Sequence, residues 1–211
     1  MNKTHKYFEI TAVLLTAIGK FVFMDWLNWR FQFVVIAILF WSTYVIYRYR
    51  KQPSILRYWG FRWYNFWSTL KMMMPFAVLS ILLFFCVGYF QGTINMTWHL
   101  IPILILYPIW GSVQQFLCIA LMTGNLNEIK VFKAKRRLVI LLTAVLFALV
   151  HYPITWLMIG TFFLALFYGY IYLKSKNIFT LGAYHGWLGG LYYYTVVGTD
   201  PFADVFLVLL K

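Results

Sequence analysis

Residues 72–127 read MMMPFAVLSILLFFCVGYFQGTINMTWHLIPILILYPIWGSVQQFLCIALMTGNLN, 56 residues without an Asp, Glu, Lys or Arg. At 1.5 Å per residue the run would make about 84 Å of helix against a hydrocarbon layer of about 30 Å, enough for two membrane crossings and a turn. The polar break Gln91-Gly92-Thr93-Ile94-Asn95 supplies that turn. Outward from this run, residues 138–173 are also uncharged and predict two short spans hinged at His151-Tyr152-Pro153. Residues 177–199 add another span, and 7–24 and 31–47 complete seven. Residues 202–210 are too short to cross alone and read as re-entrant or as part of a tilted eighth helix. The expected fold is an all-α polytopic membrane bundle of about seven to eight transmembrane helices. It divides into residues 1–71, two spans plus an interfacial amphipathic segment, and residues 72–211, a helical core with a polar intramembrane cavity.

Composition supports this. Of 211 residues, 63% are apolar, 22% aromatic and 11% charged, and the mean hydropathy is +0.76. Too few polar side chains exist to cover a domain of this size in water, which excludes a soluble enzyme, a secreted disulfide scaffold and a disordered basic tail. Eighteen Lys and Arg stand against five acids, for a net charge of +13. A nucleic-acid binder would gather its bases on one solvated face, whereas here they form short clusters between apolar runs, which excludes a nucleic-acid partner. With the N-terminus cytoplasmic, 15 of the 18 bases fall on the inner side, leaving Lys20, Arg30 and Lys211. The expected location is a bacterial inner membrane. Lys3 and Lys6 precede an apolar stretch that Lys20 interrupts and no small-x-small site follows, so the N-terminus reads as an uncleaved first span. Cys86 and Cys118 lie inside apolar runs and behave as small hydrophobes, and no cysteine cluster of metal-binding type occurs.

Residues 54–70 carry seven aromatics around Arg57 and Arg62 and read as one helix lying at headgroup level. Among the acids, Asp25, Asp200, Asp204 and a snorkelling Glu9 need no role beyond span ends. His99 and His5 read as interfacial. Polar side chains within the hydrocarbon are costly and therefore mark sites, and four stand out: Gln114, Gln115, His151 and His185. Measured from Met122, Leu138 and Ile178, the depths of Gln114, His151 and His185 are about 12, 20 and 10 Å, so all three fit one mid-membrane cavity. Adjacent glutamines point about 100° apart on a helix, so only one is expected to face it. Imidazoles can act as acid or base near neutrality or ligate a metal, while amides donate and accept hydrogen bonds without charge. A histidine beside a proline break satisfied by freed carbonyls, and glutamines gluing helices, are the structural alternatives.

Phe147-Ala148-Leu149-Val150-His151-Tyr152-Pro153, then LFYGYIYLKSKNI over residues 166–178, then His185 on the next helix, resemble the CPBP family of intramembrane proteins, also called Abi. That family includes CAAX prenyl proteases and bacteriocin-processing or immunity proteins. The resemblance runs from about Ile103 to Tyr194. It implies a Glu-Glu-x-x-x-Arg motif in which one Glu and the first His activate water, and a second His and an Asn four residues later that bind the oxyanion. Here the aligned stretch is Gln114-Gln115-Phe116-Leu117-Cys118-Ile119, and the Asn position is Gly189. Only His151 and His185 remain of the family's catalytic set, with Gln114, Gln115, Phe147 and Gly189 as cavity or substrate-binding positions and no metal or other cofactor.

An amide has no basic form near neutrality and cannot take a proton from water. General-base catalysis contributes about 10²–10⁴-fold, and loss of an oxyanion donor costs about 2.7–4 kcal/mol more. The resemblance therefore implies a non-proteolytic scaffold or binding protein for a membrane lipid, an isoprenoid, or a transmembrane or prenylated peptide, in immunity or beside a membrane-protein partner. The competing reading is an active CAAX-type endopeptidase or transferase that uses the His pair.

Overall fold

The computed structural model describes residues 2–132 and 135–203, apart from the Arg30 side chain. Among the described residues every regular element is helical and none is a strand. We label the helices α1 (Lys3–Trp26), α2 (Arg30–Lys51), α3 (Ile55–Trp59), α4 (Phe66–Gln91), α5 (Leu100–Glu128), α6 (Arg136–Leu149), α7 (Thr155–Ser175) and α8 (Ile178–Tyr192). Five of them, α1, α2, α4, α5 and α7, are long and apolar enough to cross a membrane. The breaks fall where the polar runs place them, after Gln91 and around His151-Tyr152-Pro153, with the Tyr152–Pro153 bond cis. Residues 204–210, expected to be re-entrant or part of an eighth helix, lie outside the described residues.

Three helices change pitch. α1 turns π-helical over Lys20–Trp26, α5 over Phe116–Gly124, and α8 runs on as a π-helix over Tyr193–Val197. In the first stretch Lys20 and Asp25, five residues apart, lie one turn apart and pair at 2.6 Å. The chain forms two compact units, one of Met1–Phe61 with Leu117–Lys176 and one of Arg62–Phe116 with Asn177–Lys211. Their boundary lies inside α5, at the start of its π-helical stretch.

In the first unit, Arg48, Arg50 and Lys51 occupy the last turn of α2, where cations complement the helix dipole. The expected single interfacial helix over residues 54–70 does not form. α3 stops at Gly60, whose φ of +98° ends the helix and whose missing Cβ would sit 2.7 Å from the Lys176 carbonyl. Trp59, expected at headgroup level, is fully buried, and Tyr172 Oη donates to its carbonyl at 3.0 Å. α6 and α7 pack through Gly169, where any Cβ would meet Ile140 at 3.2 Å. On α5, Thr123 donates to Thr143 of α6 at 3.0 Å within the core.

In the second unit, α4, the first half of α5 and α8 form the core. Asn177 starts α8, its side chain accepting from the Thr180 N–H at 2.9 Å and donating to the Arg62 carbonyl and to Asn65 Oδ1, both at 2.7 Å. α5 and α8 approach through small residues. A Cβ on Gly182 would lie 2.0 Å from Ser112 Oγ, and one on Gly186 would lie 2.1 Å from the Pro108 nitrogen. Backbones this close need glycine, as is common between helices in membranes. Trp63, Tyr64 and Trp67 are exposed near the start of α4, with Trp63 stacked on Phe179 at 4.3 Å.

Candidate functional site

The glycine seam brings His185 of α8 onto the end of the α-helical part of α5. His185 Nε2 lies 2.8 Å from Gln114 Oε1, and Nδ1 lies 3.1 Å from Gln115 Nε2. These contacts fit one neutral tautomer, with Nε2–H donating to Gln114 and Nδ1 accepting from Gln115. Both glutamines therefore reach the imidazole, where only one was expected to face a cavity. They differ by about 100° around the helix, and the ring spans that angle by meeting one amide at each of its two nitrogens. Gln115 is fully buried, and its Oε1 has no hydrogen-bond partner among the described residues. A buried carbonyl left without a donor is destabilising by about 1–3 kcal/mol, so it favours a donor brought from outside. Gly189, one turn beyond His185, has nothing within 4 Å of where a Cβ would stand, leaving open space on that face.

The other candidates lie in the first unit. Phe147 is buried, and its carbonyl accepts from His151 Nδ1 at 2.7 Å, while its ring meets the imidazole edge-on at 5.0 Å. That bond fixes the proton on Nδ1 and leaves Nε2 as the basic nitrogen. The carbonyl is at the i−4 position, where the α6 ladder ends before Pro153. Lys20 also holds this turn, donating to the Tyr152 carbonyl at 2.9 Å.

Asp25 lies at the end of α1, as expected of a span-end acid, and Asp204 lies outside the described residues; Glu9 departs from that role. Glu9 does not snorkel. It is fully buried, accepting from Tyr44 Oη at 2.7 Å and Arg48 at 3.0 Å on one oxygen and from Asn125 at 2.6 Å on the other. An unpaired buried carboxylate would be far too costly, and Arg48, itself 3% exposed, supplies the counter-charge. One local signal marks it: Glu9 shares the i, i+3, i+4 face of α1 with buried Ala12 and Val13. Glu128 gathers Lys6 at 2.6 Å, Tyr58 at 2.7 Å and Lys176 at 3.5 Å.

In the second unit Asp200 accepts from Tyr194 at 2.7 Å, Thr97 at 2.9 Å and the Phe202 and Ala203 N–H groups, and pairs with His99 at 2.6 Å. Burial opposes its ionisation, yet these donors hold the carboxyl well below the usual carboxylate range. His99, expected to be interfacial only, is thus a fixed partner of Asp200. Asp200 is also the one described carboxylate of that unit, so none adjoins His185 there. No group of three or more potential metal ligands occurs among the described residues.

No protein-family model, curated protein or solved structure matches the chain.

Proposed function

We propose that this is a CPBP-like integral membrane protein whose polar centre binds rather than cleaves. In this reading the short helices α6 and α8 join the five long ones to give seven spans, with residues 202–210 the candidate for an eighth. The N-terminus is cytoplasmic, in a bacterial inner membrane. The ligand is a membrane lipid, an isoprenoid or a transmembrane peptide, held for a scaffold role beside a membrane-protein partner. The observation that carries the reading is the occupancy of His185, with both ring nitrogens engaged by uncharged amides of Gln114 and Gln115. Among the described residues of its unit, no carboxylate adjoins that centre to take a proton from water. A water there would find hydrogen-bonding capacity: the Gln115 carbonyl lacks a donor, and Gln114 retains its amino group.

The test is binding without turnover. Purified protein incubated in micelles with a biotinylated transmembrane peptide or a prenylated peptide should retain it intact by mass spectrometry, and His185→Ala should lose it. Cleaved product from the wild-type protein would overturn the reading. The alternative, an endopeptidase or transferase using the His pair, draws support from His151, whose Nδ1 bond to Phe147 leaves a basic Nε2. It requires turnover that disappears in both His151→Ala and His185→Ala.

A further inference from the structure

α1 and α2 enclose a groove of about 410 Å³ within the first unit, in the size range of small-ligand sites. Its floor is small: Ala12, Thr16 and Gly19 on α1 face Phe33, Ala37 and Phe40 on α2. The Thr16 hydroxyl is already satisfied, donating to the Ala12 carbonyl at 2.8 Å and accepting from Trp41 at 3.2 Å. The rest of the lining is apolar apart from the exposed Thr11, so the groove offers almost entirely hydrocarbon. Its two helices cross the membrane by length and composition and leave most of their surface exposed, including Leu15 and Ile36 at its rim. From Phe8 to Phe23 it runs about 22 Å along α1, more than the ~15 Å of one leaflet, so a chain filling it lies extended.

Charge says what that chain is attached to. Beyond the Phe8 and Phe40 end, α1 begins with Lys3 and α2 ends with Arg50 and Lys51, all exposed. The steps Phe33, Ala37, Phe40, Tyr44, Tyr47, Lys51 keep one helix face, which places Lys51 in line with the groove. The acids nearby are spoken for: Glu9 by Arg48, Glu128 by Lys6 and Lys176. Lys3, Arg50 and Lys51 form no ion pair among the described residues. We propose that the α1–α2 groove holds one long acyl chain of an anionic phospholipid, whose phosphate sits at the basic ends of the two helices. This site shares no residue with the His185 centre and does not depend on its role.

Native mass spectrometry of the detergent-purified chain, offered phosphatidylglycerol and phosphatidylcholine in equal amounts, tests it. One retained phosphatidylglycerol is expected, preferred over phosphatidylcholine. Lys51→Gln should weaken that preference about fivefold, the worth of one basic side chain at a membrane surface. Ala37→Phe fills the groove and should abolish retention of either lipid with helix content unchanged by circular dichroism; Ala37→Leu serves if the larger variant does not fold. Equal retention of the two lipids, undiminished retention in the folded Ala37 variant, or a dimer that this substitution dissolves would each overturn the proposal, the last by seating a second copy in the groove.

Discussion

Gly186→Ala adds one methyl group where α8 touches α5. The new Cβ would stand 2.1 Å from the Pro108 nitrogen and 2.3 Å from the Tyr107 carbonyl carbon, both backbone atoms that cannot swing aside. Ordinary contact is about 3.5 Å, so α8 must retreat by about 1.4 Å at that point. His185 is the preceding residue, and its bonds of 2.8 and 3.1 Å to Gln114 and Gln115 would open past hydrogen-bonding range. Overpacking costs about 1–3 kcal/mol and each lost bond about 0.5–1.5 kcal/mol, against about 1 kcal/mol gained by alanine over glycine in a helix. The net is a destabilisation of about 1–5 kcal/mol. Gly189, three residues on, has nothing within 4 Å of its absent Cβ, so Gly189→Ala should stabilise by up to about 1 kcal/mol. Unfolding in mixed micelles, followed by circular dichroism as the SDS fraction rises, compares the two. Unchanged stability of Gly186→Ala, or shifts of one sign for both variants, would refute the close-packed seam and the site built on it.

Other outcomes follow from the buried charges. Arg48→Met should cost about 3–5 kcal/mol in the same assay by stranding Glu9, and Glu9→Gln added to it should recover most of the loss; additive losses would mean that the pair is not coupled. The Asp200 carboxyl is held at a pKa below the ordinary carboxylate range in the folded state, so its stabilising contribution is complete above the unfolded carboxyl value of about 3.9 and fades as pH falls below it. Asp200→Asn should therefore lower stability at pH 7 and flatten its decline between about pH 4 and pH 2; an unaltered decline would show that other groups govern it.

Much of the fold was legible because charge-free runs and polar breaks are one-dimensional signals. The turn after Gln91 and the break at Pro153 lie where composition put them. What stayed hidden depends on contacts distant in sequence. Nothing near Glu9 announces Arg48, 39 residues on, or Asn125, 116 residues on, so a lone acid reads as a snorkelling one. Residues 54–70 have the composition of an interfacial helix, but the backbone of Lys176 claims the space beside Gly60 and the helix ends there. The glutamines stand out in the sequence as costly polar groups within apolar runs. That both meet His185 follows from ring geometry and the glycine seam, neither of which appears as a periodicity.

Binding without cleavage at the His185 centre, where the amides of Gln114 and Gln115 stand in place of carboxylates, is tested most directly by incubating the purified wild-type protein, His185→Ala and Gln114→Glu/Gln115→Glu with transmembrane and prenylated peptides and scoring products by mass spectrometry. No cleavage by the wild type above the His185→Ala background is expected, and any proteolysis only in the double glutamate variant, where a carboxylate base worth about 10²–10⁴-fold is supplied. Wild-type cleavage that His185→Ala abolishes would contradict this reading.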